Sequence, residues 1–248
     1  MTPSDSKILV WDAPVRVFHW LLVSSFVGAY LSAESETWRL LHVTLGYTMG
    51  GLIAFRVVWG LIGTRYARFG NFVRGPGTVG RYLKSMVAGK PAHYIGHNPA
   101  GAVAIVLMLV CGVAIVATGY AVYNDLGGEL LGELHEGASN VMLAIVGVHL
   151  AGVVFASYAH HENLPRAMVT GTKQGQVTDG IARAWWSVAL VLLLAVSAYW
   201  YLQWRDAPQV VAQAQTSSSE QTTDTAHTAH TAHTAHTAHT AHTAHTAQ

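Results

Sequence analysis

The sequence predicts an all-α integral membrane protein, with five transmembrane helices followed by a disordered, soluble tail. Three observations lead there. Of its 248 residues, 51% are hydrophobic and only 11% are charged, roughly half the charged share of an ordinary soluble protein. Five stretches are apolar over the length of about 20 helical residues that a hydrocarbon core requires. From residue 206 onward the composition turns to Gln, Ser, Thr and Ala and ends in a Thr-Ala-His repeat, which offers nothing to bury.

In chain order the spans are Phe18–Ala33, Leu40–Ile62, Gly101–Val122, Leu134–Tyr158 and Trp185–Trp204. The first is the shortest. It lacks the basic lead-in and long leucine-rich run of a signal peptide, and the chain before it is mixed in charge (Asp5, Lys7, Asp12, Arg16), so it reads as an uncleaved helix. Orientation comes from the connections. Residues 64–97 carry Arg65, Arg68, Arg74, Arg81, Lys84 and Lys90 with no acid, whereas residues 124–136 carry Asp125, Glu129, Glu133 and Glu136 with no base. Because Lys and Arg stay on the cytoplasmic side, the first segment is expected inside and the second outside. The amino terminus is then cytoplasmic and the carboxyl terminus periplasmic, in a bacterial inner membrane. Arg166, Lys173 and Arg183 in the fourth connection, against Glu162 and Asp179, agree.

Charge and cysteine usage exclude several classes. A net charge of +1, from 14 basic and 13 acidic side chains, provides no field for a nucleic-acid partner. The single cysteine, Cys111, rules out an intrachain disulfide framework, a cysteine-ligated zinc site and a cysteine-bound iron–sulfur cluster. It reads as a small packing residue of the third span.

The 15 histidines are the unusual feature. Seven form the tail repeat, from His227 to His245 at every third position. Of the other eight, His19, His42, His135 and His149 lie in or at the ends of spans, where an ionisable side chain is costly and marks a functional hypothesis. His135 and His149 are fourteen residues apart on one helix, within roughly 40° of the same face and roughly 21 Å apart along the axis. With the amino terminus inside, His19 pairs in depth with His149 toward the cytoplasm, and His42 with His135 toward the outside. A zinc site would gather three or four ligands at one depth. Two facing imidazoles at each of two depths suit two b-type haems instead, with an axial histidine on either side of each iron and no open position for oxygen.

Three further residues belong to this reading. Gly46 and Gly50 follow His42 at steps of four and leave a smooth face on which a flat macrocycle could lie; ordinary small-residue helix packing gives the same pattern. Arg56, fourteen residues after His42 and roughly 21 Å deeper, is level with the inner pair and suited to a haem propionate, with snorkelling to the surface as the alternative. Arg16 and Arg39, each three residues before a histidine, are weaker propionate candidates.

The segment Asp12-Ala13-Pro14-Val15-Arg16-Val17-Phe18-His19-Trp20, Leu41-His42 with Arg56, the pair His135 and His149, and Glu162-Asn163-Leu164-Pro165-Arg166-Ala167-Met168-Val169-Thr170-Gly171 together resemble the bacterial cytochrome b561 family. That family includes the b-type cytochrome subunits of nickel–iron hydrogenases. The resemblance runs from about Leu9 to Lys173. It implies a four-helix core with two haems b, axial ligands His19, His42, His135 and His149, and electron transfer in a respiratory chain between the quinone pool and a redox partner. It gives no role to the fifth helix or the tail. The expected organisation is therefore a cytochrome core over 1–175, a cytoplasmic connection and fifth helix over 176–205, and the His-rich tail over 206–248.

Three functional classes compete. One is a dihaem protein exchanging electrons with a periplasmic c-type cytochrome, resembling a quinol:cytochrome c oxidoreductase. A second is the haem-bearing membrane anchor of a hydrogenase or other dehydrogenase. A third is a metal transporter or sensor, suggested by the tail, whose imidazoles could bind nickel, copper or zinc. A replication-expanded linker accounts for the tail equally simply. His93, His97, His160 and His161 are expected at the cytoplasmic interface in contact with solvent, with quinone protonation as the functional alternative.

Overall fold

The computed structural model describes residues 6–89 and 92–206. Two compact units divide the chain, Met1–Ser197 and Ala198–Gln248. In the second, the described residues 198–206 are helical. The expectations for residues 207–248, including disorder and the metal-binding repeat, lie outside the described residues.

Among the described residues, five helices are long and apolar enough to cross a membrane. The first, α1 (Ala13–Ser32), begins five residues earlier than its apolar run. Asp12 caps it, accepting a hydrogen bond from Val15 N at 2.8 Å, and Pro14 occupies the first turn, where its missing N–H costs nothing. A single 3₁₀ turn leads into α2 (Arg39–Ile62), which ends at Gly63. Two short helices follow, α3 (Phe69–Phe72) and α4 (Pro76–Val87). Asn98 caps α5 (Pro99–Tyr123) through Gly101 N at 2.7 Å. The long α6 (Gly128–Ala159) starts after left-handed Gly127, a backbone conformation that glycine adopts without a side-chain clash. Beyond it lie α7 (Leu164–Thr170) and α8 (Trp186–Asp206).

The core is a pair of helical hairpins. In one α1 packs on α2, in the other α5 packs on α6, and α2 joins them by packing on α5. Small residues set the spacing. A Cβ at Gly28 would lie 2.6 Å from Leu45 Cδ1, and one at Gly112 2.7 Å from Ile53 Cδ1, so the absence of a side chain lets the backbones approach. The outward faces carry apolar side chains such as Leu61, Val110, Val148 and Val154. A helix apolar all round suits lipid rather than water.

One end of this core carries the basic connections and the other the acidic ones. A small cap closes the basic end. Strand β1 (Ser6–Leu9) pairs antiparallel with β2 (Thr172–Gly175), Ser6 opposite Gly175 and Leu9 opposite Thr172. The carbonyl of Gly171 accepts from both Val10 N (2.8 Å) and Trp11 N (3.0 Å). Behind the ribbon Ile8, Val10, Trp11 and Ala167 form an apolar cluster with Tyr66, Ile95 and Met168. Asp12, only 1% exposed, ties cap to core, because Oδ2 accepts from Trp59 Nε1 (3.1 Å) and Thr64 Oγ1 (2.6 Å).

Candidate functional site

At the acidic end the start of α2 places His42 opposite His135 of α6. Their ring centres are 6.1 Å apart, with the ring planes at 74°. Each Nδ1 meets a main-chain carbonyl. That of His42 lies 2.8 Å from Ala29 O in the last turn of α1, and that of His135 lies 3.0 Å from Ile115 O, with Thr118 Oγ1 at 3.2 Å. A carbonyl only accepts, so both rings carry their proton on Nδ1 and keep a lone pair on Nε2. This is how metal-binding histidines are commonly oriented.

Between and around the rings lies a cavity of about 500 Å³, within the range of cofactor pockets. Ala29, Tyr30, Gly46, Tyr47, Gly119 and Tyr120 contribute to its walls. A Cβ on Gly46 would meet nothing within 4 Å, whereas one on Gly119 would lie 2.9 Å from His135 Cε1. Gly46 thus leaves open space, and Gly119 makes room for the imidazole. Gly50, one turn further on, instead meets Val116 of α5 at 3.0 Å from its would-be Cβ. A b-type haem fits these residues. Two imidazoles whose Nδ1 atoms are held by carbonyls, next to a cavity of cofactor size, would hold the haem iron through their free Nε2 lone pairs.

Toward the basic end, α1 and α6 bring His19 and His149 within electrostatic reach of each other. His135 and His149 share the unbroken helix α6, so the two levels are separated by about 21 Å. His19 Nδ1 is buried without a hydrogen-bond partner, unlike either imidazole at the acidic end. Arg56 is 3% exposed and does not reach the surface. Its Nη1 donates to Ala67 O (3.0 Å) and its guanidinium lies over Phe69 (4.7 Å) and Phe72 (5.9 Å). Arg16 is also buried, with Nη1 on Val169 O (2.6 Å) and its guanidinium over Trp186 (4.9 Å). Arg39 is exposed beside Glu36 at 3.9 Å.

The histidines of the connections divide. His97 is not at a solvated surface. Its ring lies 4.6 Å from that of Trp11 and 4.4 Å from that of Phe72, its Nδ1 is buried without a partner, and burial pushes the imidazole down to about 3, aided by the charges of Arg56, His149 and Lys173. His93 Nε2 donates to Glu162 Oε1 at 2.8 Å, while Lys173 Nζ contacts Glu162 Oε2 at 2.7 Å. His160 stacks edge-on to His93 at 5.1 Å, and burial followed by that neighbour lowers its pKa. The sequence reading missed Asp12, Gly119 and the burial of His97. For Asp12 the Asp-Ala-Pro start was a legible cap signal; the other two depend on which segment folds against which.

The family model for prokaryotic cytochrome b561 matches residues 10–171. The chain belongs to that family. The matched range holds all four spanning histidines and stops before α8, and membership brings b-type haem and a multi-pass membrane setting with it. Among curated relatives, a probable Ni/Fe-hydrogenase B-type cytochrome subunit of Rhizobium leguminosarum bv. viciae is 28% identical over 151 residues, 50% of this chain and 62% of the relative. A probable Ni/Fe-hydrogenase 1 B-type cytochrome subunit of Escherichia coli (strain K12) is 28% identical over 141 residues, 47% and 60%. A probable Ni/Fe-hydrogenase B-type cytochrome subunit of Cupriavidus necator is 21% identical over 166 residues, 56% of this chain and 66% of the relative. The chain spans about three-fifths of the length of the first two. No solved structure matches.

Proposed function

We propose that this cytochrome b561 family member holds two haems b, one between His42 and His135 and one between His19 and His149, and passes electrons between the quinone pool and a periplasmic redox partner, a c-type cytochrome. The observation that carries the reading is the acidic-end pair: two imidazoles with matched tautomers, a ring spacing of 6.1 Å and a cavity beside them. Bound haem supplies a one-electron iron couple at each level.

The chain's own residues do the rest. The carbonyls of Ala29 and Ile115 hold the two rings against rotation and keep their Nε2 atoms unprotonated. Two histidines would hold the group at each level, a donor set that suits electron transfer rather than oxygen chemistry. Apolar helix faces keep the site in a low-dielectric setting. The basic connections support a cytoplasmic basic end and the acidic ones a periplasmic acidic end, where Asp125, Glu129 and Glu133 would meet a partner with basic groups around its haem. Gly46 lines the cavity and Arg56 is level with the inner pair, so both belong to the cofactor's surroundings; Gly50 serves the helix contact.

A second reading, the haem-bearing membrane anchor of a hydrogenase, is favoured by the names of the relatives. The two differ in partner. A metalloenzyme that stays bound through purification supports the anchor, and transient reduction of a soluble c-type cytochrome supports the first.

The test common to both is a dithionite-reduced minus oxidised spectrum with extracted haem counted per chain, for wild type and His149→Ala. About two haems per wild-type chain and about one in the variant are expected. Well-folded wild type without haem overturns the proposal.

A further inference from the structure

Buried charge at the basic end does not balance. Among the described residues the buried charged side chains are Asp12, Arg16, Arg56 and Lys173. Glu162 matches Lys173 at 2.7 Å. That leaves one carboxylate, Asp12, for two guanidinium groups. Both feel its charge, yet its oxygens are occupied by Val15 N, Trp59 Nε1 and Thr64 Oγ1. Among the described residues neither arginine comes within ion-pair distance of any carboxylate. One positive charge is in excess, and buried charges are ordinarily paired.

His97 supplies an independent observation. Its Nδ1 is buried with no partner, and an imidazole nitrogen so placed forfeits a hydrogen bond. One aromatic ring places it beside the excess charge, because Phe72 lies 4.4 Å from the His97 ring and 5.9 Å from the Arg56 guanidinium. The charges of Arg56 and His149 both reach His97. A cation and an unused polar nitrogen thus flank one aromatic ring, within electrostatic reach of each other and of a histidine of the inner level.

We propose that Arg56 and His97 together seat a carboxylate of the inner haem, Arg56 supplying the charge and His97 Nδ1 a hydrogen bond. The proposal rests on the dihaem reading above. Arginine suits a carboxylate through its fork of donors, and a neutral imidazole has one N–H to give. It also accounts for a loop histidine being drawn under the β-ribbon with Trp11 and Phe72 closed around it.

The experiment uses the full-length protein in detergent, with haem counted and both midpoint potentials titrated for wild type, His97→Leu, His97→Gln and Arg56→Gln. The midpoint at issue is the one that disappears in His149→Ala. In His97→Leu it should fall while the other stays, because a carboxylate without its donor leaves more negative charge near the iron. Glutamine keeps a donor and should restore most of the shift. Arg56→Gln should lower the same midpoint, and combined with His97→Leu the two shifts should not add. Unchanged midpoints in His97→Leu, equal shifts in the leucine and glutamine variants, or additive shifts in the double variant overturn the proposal. Loss of a haem from His97→Gln overturns it as well, by making His97 an axial ligand. If His97→Leu does not accumulate, Arg56→Gln decides alone, and an unmoved inner midpoint refutes the seat. Wild type without haem fails the dihaem reading itself and is told apart by the haem count.

Discussion

The two ends of the helical core use different means to prepare a histidine pair. At the acidic end the backbone prepares it. The Ala29 and Ile115 carbonyls take both Nδ1 protons, and open space already lies beside Gly46. At the basic end the polar atoms outnumber their partners: Arg16 Nε, His19 Nδ1 and His97 Nδ1 are all buried and unbonded. On the proposed dihaem reading, the same ligand chemistry is preorganised by main-chain acceptors at one end and completed by the bound group at the other. Preorganisation lowers the ordering cost of binding, so the acidic end should be the less demanding site to load.

The sharpest way to break this comparison is at Gly119. A leucine there would push into His135, whose ring is already 2.9 Å from the would-be Cβ, and should abolish haem at the acidic end while the basic end keeps its own. Gly51→Ala is the control, since its Cβ also meets nothing within 4 Å and Gly51 is not part of the cavity wall. Extracted haem per chain should fall by about half in the first variant and stay unchanged in the second, if two histidine pairs hold haem as proposed. Loss of both haems from Gly119→Leu would mean that the ends are not independent.

A smaller effect is expected from Asp12, which lies at the basic end but serves the fold. Asp12→Ala removes the cap of α1 and leaves Trp59 Nε1 and Thr64 Oγ1 without their acceptor. A lost cap and stranded buried donors together cost about 3 kcal/mol. The thermal midpoint in detergent should drop, with the acidic-end haem the last to leave. Asp12→Asn, which keeps an acceptor oxygen, should recover part of the loss.

How much of this was legible in the sequence follows from the range of each interaction. The five spans and the depths of His19, His42, His135 and His149 come from local hydrophobicity and helical rise, and the structure places those residues on α1, α2 and α6. The β-ribbon was not legible. Lys7 and Gln174 face each other across 167 positions of chain, and two four-residue strands carry too little alternation to announce a pairing. His97 was misjudged for a related reason. Its neighbours Trp11 and Phe72 come from distant segments, so a histidine in a basic, loop-like stretch gave no sign of burial. Gly46 and Gly50 looked equivalent by spacing, but one opens on a cavity and the other on Val116. That distinction depends on the position of α5.

The smallest effect concerns pH and again separates the ends. Burial by itself pushes the Glu162 carboxyl up, but hydrogen bonds from Lys173 and His93 outweigh it and hold its pKa below the ordinary 4.5. A carboxyl whose folded pKa is depressed contributes stability that is present above its unfolded value and is lost as pH falls through the folded one. Acidification below about 4.5 should therefore loosen the contact between the α6–α7 connection and β2 at the basic end, with Glu162 releasing Lys173. In Lys173→Met the main opposing contact is gone and burial gains weight, so Glu162 should take up its proton at a higher pH. The measurement is the thermal midpoint against pH for wild type and Lys173→Met, and the variant's acid limb should begin at the higher pH. An acid limb at the same pH in both proteins would remove Glu162 from the account and leave the cap's acid response to other groups.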